Sequence, residues 1–383
     1  MSIISLFSIS ILRWLRFTPS HPCKKIIFLL FCLSIPLFCV SQTNQEQKSN
    51  GIVDTTLCVK KNNLGQRLKQ IITRLNTIDT AYIEPNHYAW TAMMQNTNSL
   101  HFVSFSAIEK DKERQTLTFF PRPSFKIGPF LGWRWLFLGY TIDIGRIQKA
   151  GKNTEFSLSL YSNLVGGDFV YLKNKGDFQL QRTVGFQGVS PRTFHNKDFD
   201  GLQMYLISFN LYCIFNHKKF SYPAAYNQST VQRKSAGTLL FGFRYDHQKL
   251  EFDYTKLPPT LTQQTPLFEQ LKIANRTYSN YSISTGYAYN WAFARNCLLA
   301  GSFTPTIGMS LEKGRKVGGA KPDAHAANLS LGFVGRVGLV WNTGRGFVGI
   351  SYISQLYDYR RKGFTAINSV NFINTYAGFY FGK

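Results

Sequence analysis

The feature that most constrains this chain is a strict two-residue alternation that recurs from Tyr278 to the C-terminus. Leu331, Phe333, Val337, Leu339 and Trp341 fall on one side of one stretch, with Gly332, Arg336 and Gly338 on the other. In the next stretch Val348, Ile350, Tyr352 and Leu356 oppose Gly349, Ser351 and Gln355. In the last, Ile373, Ala377, Phe379 and Phe381 oppose Asn374, Tyr376, Gly378 and Tyr380. Successive side chains of a β-strand point to opposite faces, so this pattern describes strands with one greasy face and one mixed face. Repeated in lengths of about ten residues separated by turns, in a chain that also carries an export signal, it predicts a transmembrane antiparallel β-barrel.

The composition agrees. Phe (33) and Tyr (20) are abundant among 383 residues, yet no apolar run of about twenty residues follows residue 41, which excludes a bundle of membrane helices. The strongest apolar run spans 26–40, after Lys24 and Lys25 and before Ser41 and Gln42. That order of charge, apolar core and small residue predicts a Sec-type signal peptide over 1–41, cleaved near Ser41. The alternative is an N-terminal anchor, although the run is shorter than a usual span. Phe38 is too bulky to precede a lipoprotein cysteine at Cys39. A second apolar stretch at 3–12 suggests an over-extended start covering 1–23. Residues 42–61 read as a disordered linker. Leu64, Leu68, Ile71, Leu75 and Ile78 recur at helical spacing, which predicts a helix over 62–78; with 79–85 leading on towards the sheet it makes a periplasmic helical extension over 62–85 ahead of a barrel over 86–383.

The formal net charge of +24 would suit a nucleic-acid binder. Export and the placement of the basic residues in loops argue against that. At a membrane the partners of such charge are outer-membrane lipid phosphates and anionic glycolipid such as lipopolysaccharide. Outer-membrane assembly machinery is a further partner, because Phe379, Tyr380 and Phe381 form an aromatic C-terminal ending. Cys58, Cys213 and Cys297 have no metal-ligand spacing, and no cofactor or metal is expected. Cys213 falls on the apolar face of its strand and reads as a small buried hydrophobe.

Twelve strands are expected, near 99–107, 116–127, 133–145, 154–164, 168–183, 202–215, 238–250, 278–290, 297–311, 328–341, 346–357 and 371–382, within a range of ten to fourteen. The segment 173–177 interrupts the fifth. Barrels of this kind have short periplasmic turns and long outer loops. The expected inner turns are 128–132, 166–167, 291–296 and 342–345. The expected outer loops are 146–153, 184–201, 251–277, 312–327 and 358–370. Aromatic residues near strand ends suggest interfacial belts: Tyr287, Tyr289 and Trp291; Tyr352, Tyr357 and Tyr359; Trp133, Trp135 and Tyr140.

One connection breaks the rule. The stretch 216–237 should be a short inner turn and is instead long. It reads Asn216-His217-Lys218-Lys219-Phe220-Ser221-Tyr222-Pro223-Ala224-Ala225, followed by Gln232-Arg233-Lys234-Ser235-Ala236-Gly237. This pattern, with the lead-in at 79–85 and the Gly-Gly-Asp-Phe run at 166–169, resembles an uncharacterised Bacteroidota family known only as domain of unknown function 4421. The resemblance covers roughly 75–383. It implies an exported outer-membrane barrel of a Gram-negative bacterium and carries over no catalytic residue. Lys218, Lys219, Arg233 and Lys234 supply charge to the segment, and Phe220, Tyr222 and Tyr226 supply ring faces. Pro223 stops a strand. Such a segment could bind lipid phosphate, fold into the lumen onto acidic side chains, meet a periplasmic or surface partner, or seal a barrel mouth as an ordered loop.

Chemistry is sparse, and no catalytic residue is assigned. His247 follows Asp246 with Glu251 nearby, but neighbours on a strand point to opposite faces; the same holds for His101 and Ser104. His195 sits with Asp198 and Asp200 in a solvated loop. No Gly-x-Ser-x-Gly elbow occurs, and 314–319 lacks phosphate-loop spacing and reads as a flexible outer loop. Glu155, Arg244, Asp246 and Arg336 fall on inward faces, where opposite charges pair and an uneven ring would set selectivity. The sequence thus leaves three readings in order: a structural or binding barrel, a narrow channel or transporter for a small anionic solute, and a lipid-modifying enzyme.

Overall fold

The computed structural model describes residues 77–109, 113–133, 136–139, 141–143, 153–263, 265–316, 327–361 and 363–382. The expected signal peptide, linker and nearly all of the expected helix lie outside these residues. Where the description begins, the chain is not helical. A turn at 80–82 leads into strand β1 (Ile83–Pro85), within the stretch 79–85 that leads towards the sheet. No helix among the described residues is long and apolar enough to cross a membrane.

The remaining strands are β2 (Trp90–Ile108), β3 (Arg114–Pro121), β4 (Ser124–Trp133), β5 (Leu136–Gly139), β6 (Ile142–Asp143), β7 (Asn153–Tyr161), β8 (Val165–Lys175), β9 (Phe178–Val184), β10 (Lys197–Phe199), β11 (Leu202–Ile214), β12 (Thr230–Gln232), β13 (Ala236–Phe252), β14 (Ile273–Ala294), β15 (Cys297–Lys316), β16 (Ala327–Asn342), β17 (Gly346–Arg361) and β18 (Phe364–Phe381). β1 and β12 form a small sheet of their own, and the other sixteen form one sheet.

Several of those sixteen are halves of one bent passage. Pro121 and Pro123 lack ladder donors and break β3 from β4. β2 pairs with β3 in its second half and with β4 in its first. Gly176, at φ 72°, breaks β8 from β9; a Cβ there would lie 2.8 Å from the Asp200 carbonyl, so glycine is required. Asp200 and Gly201 break β10 from β11. With these joins, and with β5 and β6 taken together, the described strands make twelve antiparallel passages, as the alternation indicated.

The sheet closes on itself. β18 pairs with β2 from Phe364↔Ala107 to Phe381↔Trp90. In the other direction β3 pairs with β9, and β9 continues β8, which pairs with β11. At the opposite end of the wall β4 turns to pair with β5 and β6, while β7 pairs with β8. Three strands are therefore present at one end of the barrel and skipped at the other.

Burial is inverted relative to a soluble sheet. Along β13, Thr238, Leu240, Arg244, Asp246, Gln248, Leu250 and Phe252 are buried, whereas Leu239, Phe241 and Phe243 are exposed at 59%, 51% and 45%. Exposed apolar side chains on every second residue of successive strands form a lipid-facing band. Cys213 belongs to that outward face and is exposed, so it is not the buried hydrophobe expected. Trp90, Trp133, Trp291 and Trp341 stand exposed at the strand ends that carry the short turns, called the inner end here. Tyr357 and Tyr359 depart from the expected belt: both point inward and are 4% exposed. Trp135 and Tyr140 lie outside the described residues.

Several connections move. The glycines at 166–167 and 128–132 lie within β8 and β4, and the inner turn after β7 falls at 162–164. The outer connections expected at 184–201, 251–277, 312–327 and 358–370 are shorter than expected because their strands run past the apolar band. β17 and β18 meet in a tight turn around Gly363 rather than a loop over 358–370. Residues 314–316 of the glycine-rich segment belong to β15, and 317–319 lie outside the description. Above the membrane both faces of a strand are wet, so the alternation that marks strands fades there.

Candidate functional site

The long inner connection folds back into the barrel mouth. After β11 the chain makes a turn at 216–219. It then buries Phe220, Ser221 and Tyr222, forms a one-turn helix α1 (Pro223–Tyr226), and returns through β12. β12 pairs with β1, so the N-terminal lead-in is part of the same plug. Two apolar clusters hold it. Phe220 and Tyr222 pack with Tyr161, Tyr212, Ile214, Leu240 and Ala288 of the wall. Ala224 and Ala225 pack with Met93, Leu298, Ala300, Val340, Phe347, Tyr376 and Tyr380.

Polar contacts tie the plug to three strands of the wall, β14, β16 and β18. The Tyr376 hydroxyl donates to the Ala225 carbonyl at 2.9 Å, and the Tyr380 hydroxyl to the Gln228 carbonyl at 2.8 Å. Asn342 Nδ2 donates to Gln228 Oε1 at 3.0 Å. From β14, Asn290 Nδ2 donates to the Ser221 carbonyl at 2.8 Å and to Gln232 Oε1 at 3.0 Å. Gln228 is fully buried with φ 61°, a left-handed backbone that costs energy for a non-glycine residue. Its side-chain and main-chain bonds to Pro223, Ala224, Asn342, Tyr376 and Tyr380 offset that cost. Burial, the largest cause, pushes the phenols of Tyr222 and Tyr226 above the ordinary tyrosine range. Both rings therefore stay neutral inside the plug.

The segment singled out from sequence thus splits by chemistry. Phe220 and Tyr222, each 1% exposed, enter the lumen. The cations stay at the mouth: Arg233 pairs with Glu84 of β1 and donates to Asn296 Oδ1 at 3.1 Å. Lys219 and Lys234 lie over the Tyr82 ring at 4.9 and 5.6 Å. The carbonyl of Lys218 accepts from the Asp79 amide at 2.8 Å. Of the possibilities open in the sequence, the segment takes the lumen, but it meets tyrosines and amides there rather than acidic side chains.

Above the plug the lumen is crossed by paired charges. Arg336 pairs with Asp168, whose carboxylate also accepts from Asn210 Nδ2 at 3.0 Å and Ser159 Oγ at 2.9 Å. The Arg336 guanidinium lies 5.1 Å from the Tyr212 ring and 5.9 Å from that of Tyr222, so the plug rests against the ion pair. Arg244 Nε meets Asp246 Oδ1 at 3.0 Å, and its guanidinium stacks 3.9 Å from the Tyr357 ring centre. Glu155 accepts from Ser99 Oγ at 2.7 Å and pairs with Lys126 Nζ at 2.8 Å, with His101 Nε2 at 3.6 Å. Arg276, Glu312 and Tyr359 form a further cluster. All four lumen charges named from sequence point inward, and each has an opposite charge. Asp168, Lys126, His101, Arg276 and Glu312 were not anticipated. Asp168 was hidden because 166–169 read as a turn; strict alternation through β8 would have revealed it.

The outer end is closed by grease. Phe186, Phe194, Leu257, Leu261, Leu267 and Leu271 of the outer loops pack on Phe105, Phe119, Phe178, Phe199 and Phe252 of the wall. Buried Gln115 pins one of these loops: its Nε2 donates to the Pro266 carbonyl and its Oε1 accepts from the Phe268 amide, both at 2.9 Å. Beneath this lid, a cavity of about 10 Å³ among Gln248, Tyr278, Asn280, Tyr357 and Asn368 has room for a single water.

On the outer wall the candidate chemistry is slight. Asp246 and His247 do point to opposite faces, one buried and one outward. His247 Nδ1 instead lies 3.0 Å from Ser279 Oγ on β14, a cross-strand pair the sequence did not suggest. Asp198 and Asp200 bind Arg122 and Lys256, and His195 joins neither in any described ion pair. No cluster of metal-ligating side chains occurs among the described residues.

Residues 77–381 match the model of a family described as Domain of unknown function (DUF4421). A search of curated protein sequences finds no match. Similar solved structures include the outer membrane protease OmpT from Escherichia coli, at 10% identity and TM-score 0.33, covering 76% of this chain and 96% of that one. The translocator domain of the autotransporter NalP from Neisseria meningitidis matches at 7% identity and TM-score 0.27, covering 83% and 94%. The toluene transporter TodX of P. putida matches at 8% identity and TM-score 0.22, covering 76% and 90%. None is similar enough to carry a function across.

Proposed function

The chain belongs to the DUF4421 family, and on that footing we propose that it is a sealed outer-membrane barrel with a structural or binding role rather than a conduit. The observation that carries this reading is the doubly closed lumen. At the inner mouth the 216–237 plug is bonded to Asn290 of β14, Asn342 of β16 and Tyr376 and Tyr380 of β18. At the outer mouth the loops bury six large apolar side chains. A conducting path needs a wet, continuous lumen, and a filled interior of this kind has none. Among the described residues, the paired lumen charges also leave no uneven ring to select a small anion. On this reading the Sec-type leader over 1–41 delivers the chain to the periplasm, the plugged end faces inward, and the lid and its loops form the surface offered to partners.

Planar-bilayer recording of the purified full chain tests the proposal. Silence across salts and voltages is expected, and discrete conductance steps from the unaltered protein would overturn it. A variant lacking 217–234 should gain conductance, which also checks that the silent protein had inserted. A mobility difference between boiled and unboiled samples on electrophoresis tests the barrel itself.

A further inference from the structure

The cross-strand register arranges the outward face of β7, β8, β11, β13 and β14 in rows. One row runs Leu160, Gly167, Leu211, Phe243, Ile283. The next outward is Leu158, Phe169, Phe209, Tyr245, Tyr281, and the one after it Phe156, Tyr171, Ile207, His247, Ser279. Then the chemistry changes within one step. The following row is Thr154, Lys173, Tyr205, Lys249, Thr277, and above it stand Lys175, Gln203, Glu251 and Asn275. Two lysines thus flank a tyrosine at the rim where the apolar band ends, on the side away from the plug.

We infer that this rim is a docking site for a phosphorylated glycolipid of the outer leaflet, with one headgroup phosphate held between Lys173 and Lys249 over Tyr205. The geometry fits a single phosphate. Lys173 and Lys249 sit on strands separated by one other, so their backbones are roughly 10 Å apart, and two extended lysine side chains can converge between them. Tyr171 braces the site from below, its ring 5.5 Å from that of Tyr205 in an edge-on contact. Uncharged Thr154, Gln203, Asn275 and Thr277 around the lysines offer donors and acceptors suited to sugar hydroxyls, while Phe156, Phe169, Ile207 and Phe209 lie below for acyl chains. Lys173 has no carboxylate partner among the described residues. Lys249 is held at 2.6 Å by Glu251, with both side chains well exposed at 45% and 38%. Glu251 therefore competes with the phosphate and lowers affinity for it.

The inference rests on the outward orientation of the lidded end. Native mass spectrometry of the full chain in detergent tests it, with purified bisphosphorylated lipid A as probe and its dephosphorylated form and phosphatidylglycerol as controls. Retention of the bisphosphorylated form is expected. Lys173→Gln with Lys249→Gln should weaken it by roughly tenfold or more, and Glu251→Gln should strengthen it. Equal retention of the dephosphorylated form, or of phosphatidylglycerol, would overturn the glycolipid assignment, as would unchanged binding by the double variant. Loss of the boiled-against-unboiled mobility shift in the unaltered protein would instead overturn the underlying barrel.

Discussion

Removing the Asp168 carboxylate should be among the most damaging single changes to this barrel. Arg336 is 2% exposed and faces Asp168 across the lumen, with Tyr212 and Tyr222 stacked beside it. Asp168→Ala would leave that guanidinium buried without its counter-charge and would deprive Ser159 and Asn210 of their acceptor. Breaking a buried pair from one side costs about 3–5 kcal/mol. That corresponds to roughly two to three and a half powers of ten in the unfolding equilibrium. Guanidinium unfolding in detergent, followed by tryptophan fluorescence, measures it. The paired replacement Asp168→Leu with Arg336→Met should recover most of the loss, because an apolar pair of similar volume needs no desolvation. A loss below about 1 kcal/mol for the single variant, the range of exposed pairs, would refute the claim that this charge is buried and neutralised by Asp168.

Gly349→Val should loosen the plug, since a Cβ there would lie 2.5 Å from the Tyr376 ring, whose hydroxyl holds Ala225; trypsin should then cleave within 216–237, and continued resistance would count against the plug geometry. Asn296 holds φ 65° in an inner turn, so Asn296→Val should cost about 1–2 kcal/mol in the same unfolding assay while Asn296→Gly should be close to neutral. Ser279 contacts His247 through Nδ1, and an ordinary surface hydroxyl should not react with a fluorophosphonate probe. Labelling of Ser279 that disappears in His247→Ala would instead favour the lipid-modifying reading.

The wall was legible because its two faces meet different solvents. Leu239, Phe241 and Phe243 against Leu240, Gly242 and Arg244 state the outward and inward sides of β13 without any structure. Legibility failed where that contrast weakens or where position depends on distant chain. Beyond the apolar band, Tyr357 and Tyr359 looked like belt residues because an inward tyrosine and an interfacial one have the same local sequence context. Gly166 looked like a turn, yet it is small because the Tyr212 ring fills its space: a Cβ would lie 2.2 Å from that ring. The 216–237 segment was visible as an exception, but not its division into a buried aromatic half and an exposed basic half. That division depends on Tyr376, Tyr380 and Asn290, all far along the chain. The His247–Ser279 contact is set by strand register, which no local pattern records.

The pairing of β3 directly with β9 skips β5, β6 and β7, so the wall has two fewer passages at its outer crown than at its waist. Each passage contributes about 4.8 Å of circumference, and barrel width grows with strand number. The barrel is therefore a cone, narrower by roughly 3 Å at the crown. A tapered wall needs only modest loops to cap it, which is why a handful of phenylalanines and leucines suffices for the lid. It also means that β7 begins on the flank, at Asn153 beside Asn174 of β8, rather than at the crown.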